Sequence, residues 1–536
     1  MRKILLLTLC AFCFAASALA DEGQHHEDLS NEQLGTVHFP VSCEASVEKP
    51  FTRGVALLHS FWYEEAQKQF EHIAKDDPKC AMAHWGAAMS LWHQLWNHPD
   101  DATVKKGLAE VKMAESLHAK TAREQAYIGA MKTFYGDDSK LEYQQRAEAY
   151  AAAMEKLERK YSDDREAAAF YALSLLAAEP DDDTTFVNRK KAAAVLEPLF
   201  AAEPNHPGVA HYLIHSYDTP QLAQLGLPAA RRYAQIAPAS PHALHMPSHI
   251  FARLGLWQDD IHSNLASIAA TRKTAEMHMG GEGHQFHAMD FLVYAYLQSG
   301  RETDAKKVID EVQGMAPMKD MEGMGYDPRI YALVEFPARY ALELHRWEDA
   351  ANLQPVEGST LGDDAITYLA RAIGAAHLGK VDETQKDLDQ IDGIHKRLLE
   401  AKRPGFAKAV EDDHRVGAAW LSYAQGKKQE AVTALQAVAK DQESVSGEAS
   451  GIPAREMAAD ILLDMKQPEK ALAEYQADLK FSPGRFNGLY GAAQAAEMAG
   501  ASAKANEYYA LLLKNCEGSG SGRPELARAK SLVAAK

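Results

Sequence analysis

Cysteine is scarce: the 536-residue chain has five, and two of them, Cys10 and Cys13, fall within the first twenty positions. Among Cys43, Cys80 and Cys516 there is no CxxC or CxxCH spacing, which excludes a thioredoxin-type redox motif and c-type haem attachment in the body of the chain. Basic charge is in deficit, with 57 Lys and Arg against 75 Asp and Glu and a net charge of −18. Nucleic-acid readers carry the opposite bias, so nucleic acid is not an expected partner. Past the N-terminus no apolar run approaches the ~20 residues of a membrane span. There is no phosphate-binding GxxxxGK loop, no GxSxG, no HExxH and no Gly-rich dinucleotide turn, so no standard hydrolase or nucleotide enzyme is written here. Clusters of Val and Ile are sparse, and alanine-rich segments of helical period replace them, which argues against strands.

The segment MRKILLLTLCAFCFAASALA reads as a cleaved signal peptide over 1–20. Arg2 and Lys3 form its positive start, an apolar run follows, and Ala18-Leu19-Ala20 is a small-x-small cleavage site. Export, with the periplasm as destination, is the expectation. Loss of Arg2 and Lys3 would take the net charge from −18 to −20. Acid is spread in i,i+4 mixtures such as EEAQKQFEHIAKDD, the pattern of solvated helix faces. In an oxidising compartment three cysteines permit one disulfide and one spare thiol. Cys43 and Cys80 flank the first helical hairpin and are the preferred pair.

A chain this long ordinarily splits into several domains, unless it repeats. Ala471, Tyr475 and Leu479 recur as Ala505, Tyr509 and Leu513, 34 residues later. Leu196, Phe200 and Pro204 recur as Ala230, Ala234 and Pro238 at the same spacing. Gly54, Ala66, Phe70 and Pro78 fit the same register, as do Gly300, Ala305 and Ile309. The spacing resembles that of tetratricopeptide repeat (TPR) proteins, in which small residues let two helices cross closely and an aromatic fills the gap to the neighbour. HFPVSC, GVALLHSFWYEEA, DPKCAMAHWG, HYLIHSYDTP and FNGLYGAAQAAE further resemble a group of large exported bacterial TPR proteins of unestablished function. The resemblance implies an all-α solenoid of helix-turn-helix repeats. The parsing is a signal peptide at 1–20, an N-terminal extension at 21–50, N-terminal repeats at 51–186 and central repeats at 187–315. Less regular helices follow at 316–450, a C-terminal repeat pair at 451–516 and a tail at 517–536.

Histidine is unevenly used: residues 206–287 hold ten of the 23. Pro207 and Pro241, His211 and His245, and His215 and His249 are each 34 apart. In the repeat register the two histidine pairs occupy positions 5 and 9 of the first helix, which the resemblance places on the concave groove. His242 and His287 take position 2 of their units, and Asp290 takes position 5. Imidazoles at i and i+4 share one helix face, and neutral imidazole suits Zn, Cu, Fe and Ni. The expected metal ligands are His211, His215, His245 and His249, with His242, His287 and Asp290 in reserve. Pro247 removes a backbone donor within this stretch and puts the direction of His242 and His245 in doubt. His206, His262 and His278 read as solvated residues.

Met315, Met318, Met321 and Met324 recur every third residue in a Gly- and Pro-containing stretch, and Met246, Met277, Met279 and Met289 lie in or beside the histidine segment. Soft thioethers favour Cu(I), which puts copper first and zinc second as the expected metal. His59, His84, His93, Trp62, Trp85, Trp92 and Trp96 read first as packing residues, and Arg329 and Arg339 equally as anion clamps or as helix-end ion pairs. The functional expectation is an exported TPR solenoid that binds a transition metal in its groove, for metal handling or metal-dependent chemistry. The alternative is a periplasmic scaffold that grips a peptide or envelope protein in that groove. A metal-dependent enzyme is the third possibility.

Overall fold

Repeated small residues facing repeated aromatics demand close helix crossings, and these are present. In the computed structural model, which describes residues 33–534 apart from 96–97, 137–140, 181–182, 278, 280–282, 319–326 and 445–450, α-helices run from Glu48–His59 to Pro524–Ala534 with no strand among the described residues. The expected signal peptide, and with it His278, Trp96, Met321 and Met324, lies outside the described residues. A Cβ on Gly54 would stand 2.7 Å from the Phe70 ring, and one on Gly491 would stand 2.3 Å from Tyr475. These contacts are the reason for a small residue on one helix opposite an aromatic on the next. Gly300 (φ +68°) turns His284–Gln298 into Glu302–Gly314, a left-handed conformation that only glycine adopts freely. Helix starts are marked in the sequence by caps: Thr121 with Glu124 and Thr360 with Asp363 form capping boxes, and Pro207, Pro241 and Pro404 occupy first turns.

Consecutive helices pack as antiparallel hairpins stacked into a TPR-type superhelix that closes on itself twice. In the N-terminal half, Glu48–His59 reaches across the groove to pack on Pro207–Tyr217. One continuous apolar core there spans Leu34 to Met279. An extended segment runs along the edge of this half, past the starts of five successive groove helices. The carbonyl of Gln33 accepts from Ala239 N (3.1 Å), Thr36 N donates to Asn205 O (2.8 Å), and His38 N donates to Glu166 (3.1 Å). Farther along, Pro40 O accepts from Arg123 (3.0 Å), Ser42 N donates to Glu124 (2.6 Å) and Glu44 N to Asp77 (2.8 Å). The Cys43–Cys80 disulfide fastens its end, and Cys516 is a buried free thiol.

The C-terminal half closes where His284–Gln298 meets Phe486–Met498. Arg485, fully buried, donates to Glu343 (2.9 Å), Glu456 (2.8 Å) and the Tyr294 hydroxyl (2.9 Å). A buried guanidinium is tolerable only with such partners. The histidine-bearing helices run from the first closure, at Pro207–Tyr217, to the second, at His284–Gln298.

Candidate metal centre

Pro207 opens the helix Pro207–Tyr217, and His211 and His215 project from one face of it, one turn apart. Thirty-four residues on, Pro241–His245 and Pro247–Arg253 follow each other with a break at Met246. Pro247 supplies no N–H, and the chain tightens locally, His249 N donating to Met246 O at 3.2 Å. The break leaves the i,i+4 relation of His245 and His249 intact. The third contributor is His284–Gln298, which carries His287 near its start.

These helices bring the imidazoles together as two triads rather than as a single four-histidine shell. In the first, His211 Nε2 lies 3.0 Å from His215 Nε2 and 3.1 Å from His242 Nε2. In the second, His245 Nε2 lies 3.0 Å from His249 Nε2, and His287 completes a set whose ligand atoms lie within 4.8 Å of one another. Each triad is thus an i,i+4 pair from one groove helix plus a histidine at the start of the next. Repeating the helix repeats the triad. Three nitrogens bound at ~2.0–2.1 Å around a tetrahedral ion stand about 3.3 Å apart, close to the separations seen here.

The outer nitrogens of His211, His245 and His249 are anchored. His211 Nδ1 donates to the His59 carbonyl at 2.7 Å. His245 Nδ1 donates to Asn264 Oδ1 at 2.7 Å, and the amide is oriented by Asn264 Nδ2 donating to the Asp260 carbonyl at 3.1 Å. His249 Nδ1 donates to Asp218 at 2.8 Å, and the same carboxylate accepts from Arg253 at 3.0 Å. An imidazole whose Nδ1 holds the proton turns the Nε2 lone pair inward, the arrangement that outer-sphere partners impose on metal-binding histidines. Burial pushes His211 down to about 3, and burial with neighbouring imidazoles holds His215, His242 and His245 well below the usual histidine range. These four rings are neutral at neutral pH, as ligation requires. Burial works to raise Asp218, but Arg253 and His249 beside it outweigh this and hold its carboxyl well below the usual carboxylate range. In the second triad, where both Nδ1 atoms donate outward, the Nε2 lone pairs of His245 and His249 face each other at 3.0 Å, a geometry that calls for a metal ion or a shared proton between them.

Each triad has an aromatic cover. Phe61 packs on His211, His215 and His242 with ring centroids at 4.3, 5.6 and 5.5 Å. Its backbone is left-handed (φ 53°), a conformation that costs a phenylalanine ~1–3 kcal/mol and persists only where packing imposes it. Phe291 packs on His245, His249 and His287 at 5.1, 4.6 and 5.3 Å. His284 adjoins the first triad, 5.7 Å from His242 between centroids.

Other candidates are engaged elsewhere. Asp290 does not join the imidazoles: it pairs with buried Arg339, which also holds Glu335. Arg329 binds Asp327 and the Met315 carbonyl. His206 is buried rather than solvated; its Nδ1 accepts from Val209 N at 3.2 Å as the cap of the following helix, and its Nε2 meets Glu166 at 3.1 Å. His59 joins the same carboxylate at 2.8 Å while its Nδ1 meets the Tyr212 hydroxyl at 2.9 Å. All four ring nitrogens of His59 and His206 thus have partners, so this cluster is structural although its spacing would hold an ion. His84 pairs with Glu110, and His93 stacks on Tyr63. Trp62, Trp85 and Trp92 are core residues. Met246, Met279 and Met289 are buried in apolar cores and Met315 and Met318 pack against one, so these methionines fill volume. Phe61, Asp218 and Asn264 were missed from sequence; a carboxylate three residues beyond His215 was the one visible hint.

No protein-family model matches the chain, and no curated protein matches it. Among solved structures it is similar to the human IFIT1 dimer with m7Gppp-AAAA, at 13% identity over 86% of this chain and 95% of that one, with a TM-score of 0.34. The P58(IPK) TPR domain matches at 12% identity over 92% of this chain and 99% of that one, TM-score 0.21. Naa15/Naa10 bound to HypK-THB matches at 12% identity over 91% of this chain and 73% of that one, TM-score 0.23. The fold is an all-helical solenoid of TPR-type hairpins.

Proposed function

We propose that this chain is an exported TPR-type solenoid that binds a transition metal through the central histidines, copper first and zinc second. One observation carries the reading: imidazole Nε2 atoms converge at 3.0–3.1 Å in two places, with outer nitrogens anchored to a carbonyl, an amide and a carboxylate. Neutral imidazoles serve both metals. The Cys43–Cys80 disulfide suits the oxidising compartment to which the N-terminal segment would send the protein, and copper handling belongs there. With Met246, Met279 and Met289 buried in apolar cores and Met315 and Met318 packed against one, the preference for copper rests on compartment and imidazole. The test is elemental analysis of protein purified without a tag, beside a His215→Ala/His249→Ala double variant. Bound metal in the first and its loss in the second is expected; equal, negligible metal in both would refute the proposal.

A second reading has its own support in the C-terminal half. A cavity of about 360 Å³ there is lined by Trp347, His377, Trp420 and Tyr423 together with Asp460 and Asp464. Aromatic walls beside carboxylates suit a basic side chain of a peptide or envelope protein. Partner capture that survives chelation and is lost in Trp420→Ala would favour the scaffold reading.

A further inference from the structure

Resting on the metal reading above, we infer that the chain holds two ions side by side, one in each histidine triad, bridged by a small anion such as hydroxide. Each triad is a complete three-nitrogen set by itself. The two are immediate neighbours: across the divide, His215 and His249 lie 6.5 Å apart between ring centroids, and His242 and His245 lie 6.3 Å apart. The adjacency follows from the repeat, because groove helices stacked ~8–10 Å apart place equivalent side chains next to one another. A single shared shell would have mixed the pairs, whereas the shortest contacts stay within each triad.

Access and charge supply the bridge. His211, His242 and His245 are buried, His215 and His249 are half-buried and His287 is exposed, so solvent reaches both triads through their outer members. Three protein nitrogens leave a tetrahedral ion one open position. Imidazole ligands bring no charge of their own, and the carboxylate that touches the second triad, Asp218, is already paired with Arg253. Two divalent ions would therefore carry excess positive charge in a partly buried site, which draws in a small anion. Water bound between them loses one proton to solvent and remains as hydroxide; no bond to carbon and no electron transfer is involved. Paired ions ~3.5–4 Å apart are the spacing at which one oxygen serves both.

The experiment loads the full-length tag-free protein with copper(II), removes unbound metal, and measures copper per chain together with the electron paramagnetic resonance intensity. Two ions per chain are expected, with the signal largely lost through exchange coupling. His215→Asn and His287→Asn should each retain one ion, with the full signal of one spin, which also shows that each variant is folded. Azide should displace the bridge and alter the charge-transfer spectrum of the wild type alone. One ion in the wild type, lost in either variant, would overturn the pair while leaving metal binding intact. Two ions with undiminished signal would overturn the bridge, and no ion at all would overturn the metal reading itself.

Discussion

Replacing Asp218 with asparagine separates what holds the fold from what tunes the centre. The carboxylate accepts from His249 Nδ1 at 2.8 Å and from Arg253 Nε at 3.0 Å, with side-chain exposures of 15% for Asp218, 16% for His249 and 6% for Arg253. Removing one partner of a fully buried pair costs ~3–5 kcal/mol, and an exposed pair is worth ~0–1 kcal/mol. The pair here lies between, so Asp218→Asn should destabilise the metal-free protein by about 2 kcal/mol, read from urea unfolding. Its second effect is on the metal. Loss of an outer-sphere carboxylate typically weakens a site ~10–100-fold, which is about 1.4–2.8 kcal/mol of binding energy. A chelator competition titration should show that loss at the triad of His249, while the triad of His211 keeps its affinity. If stability falls and metal affinity at both triads is unchanged, Asp218 merely neutralises Arg253 and His249 is not a ligand. The reasoning from anchored nitrogens would then be refuted.

Arg485→Met leaves Glu343 and Glu456 buried without their cation and should cost ~3–5 kcal/mol in denaturant unfolding while copper stoichiometry stays the same. The Cys43–Cys80 bridge closes a separation of 37 residues, so Cys43→Ser/Cys80→Ser should lose about 4 kcal/mol by chain entropy, seen as a lower urea midpoint. His211, His242 and His245 are neutral when folded because burial lowers them, but they take up protons near pH 6.5 when unfolded. The unfolded state then binds more protons, so metal-free stability is full above about pH 6.5 and declines as pH falls below it, by up to about 1.4 kcal/mol per pH unit for each ring. Urea midpoints at pH 7.5 and 5.0 check this; equal midpoints would mean that these rings titrate alike in both states.

The repeat was legible because one physical demand, close helix crossing, is met by the same residue types each time: Gly54 against Phe70, and Gly491 against Tyr475. The same copying made His211 and His215 recognisable in His245 and His249. The division into two triads was not legible, because each third ligand comes from the start of a later helix. His242 lies 31 residues after His211, whereas His287 lies 42 after His245, so no constant spacing announces both. Asp290 shared the groove register with the ligands, yet a buried Arg339 forty-nine residues away claims its carboxylate. Superhelix curvature accumulates over several repeats, and it is curvature that brings the His59 carbonyl and Phe61 onto the first triad, 152 and 150 positions from His211. His206 looked solvated because the carboxylate that meets its Nε2, Glu166, lies 40 residues away in another repeat.

Anomalous diffraction at the copper edge, from crystals of the copper-loaded tag-free protein, tests the central claim most directly. Density is expected ~2.0–2.1 Å from the Nε2 atoms of His211, His215 and His242, and again from the Nε2 atoms of His245 and His249 and a ring nitrogen of His287. An anomalous map with no peak at either triad, from protein that retains copper elsewhere, would contradict it.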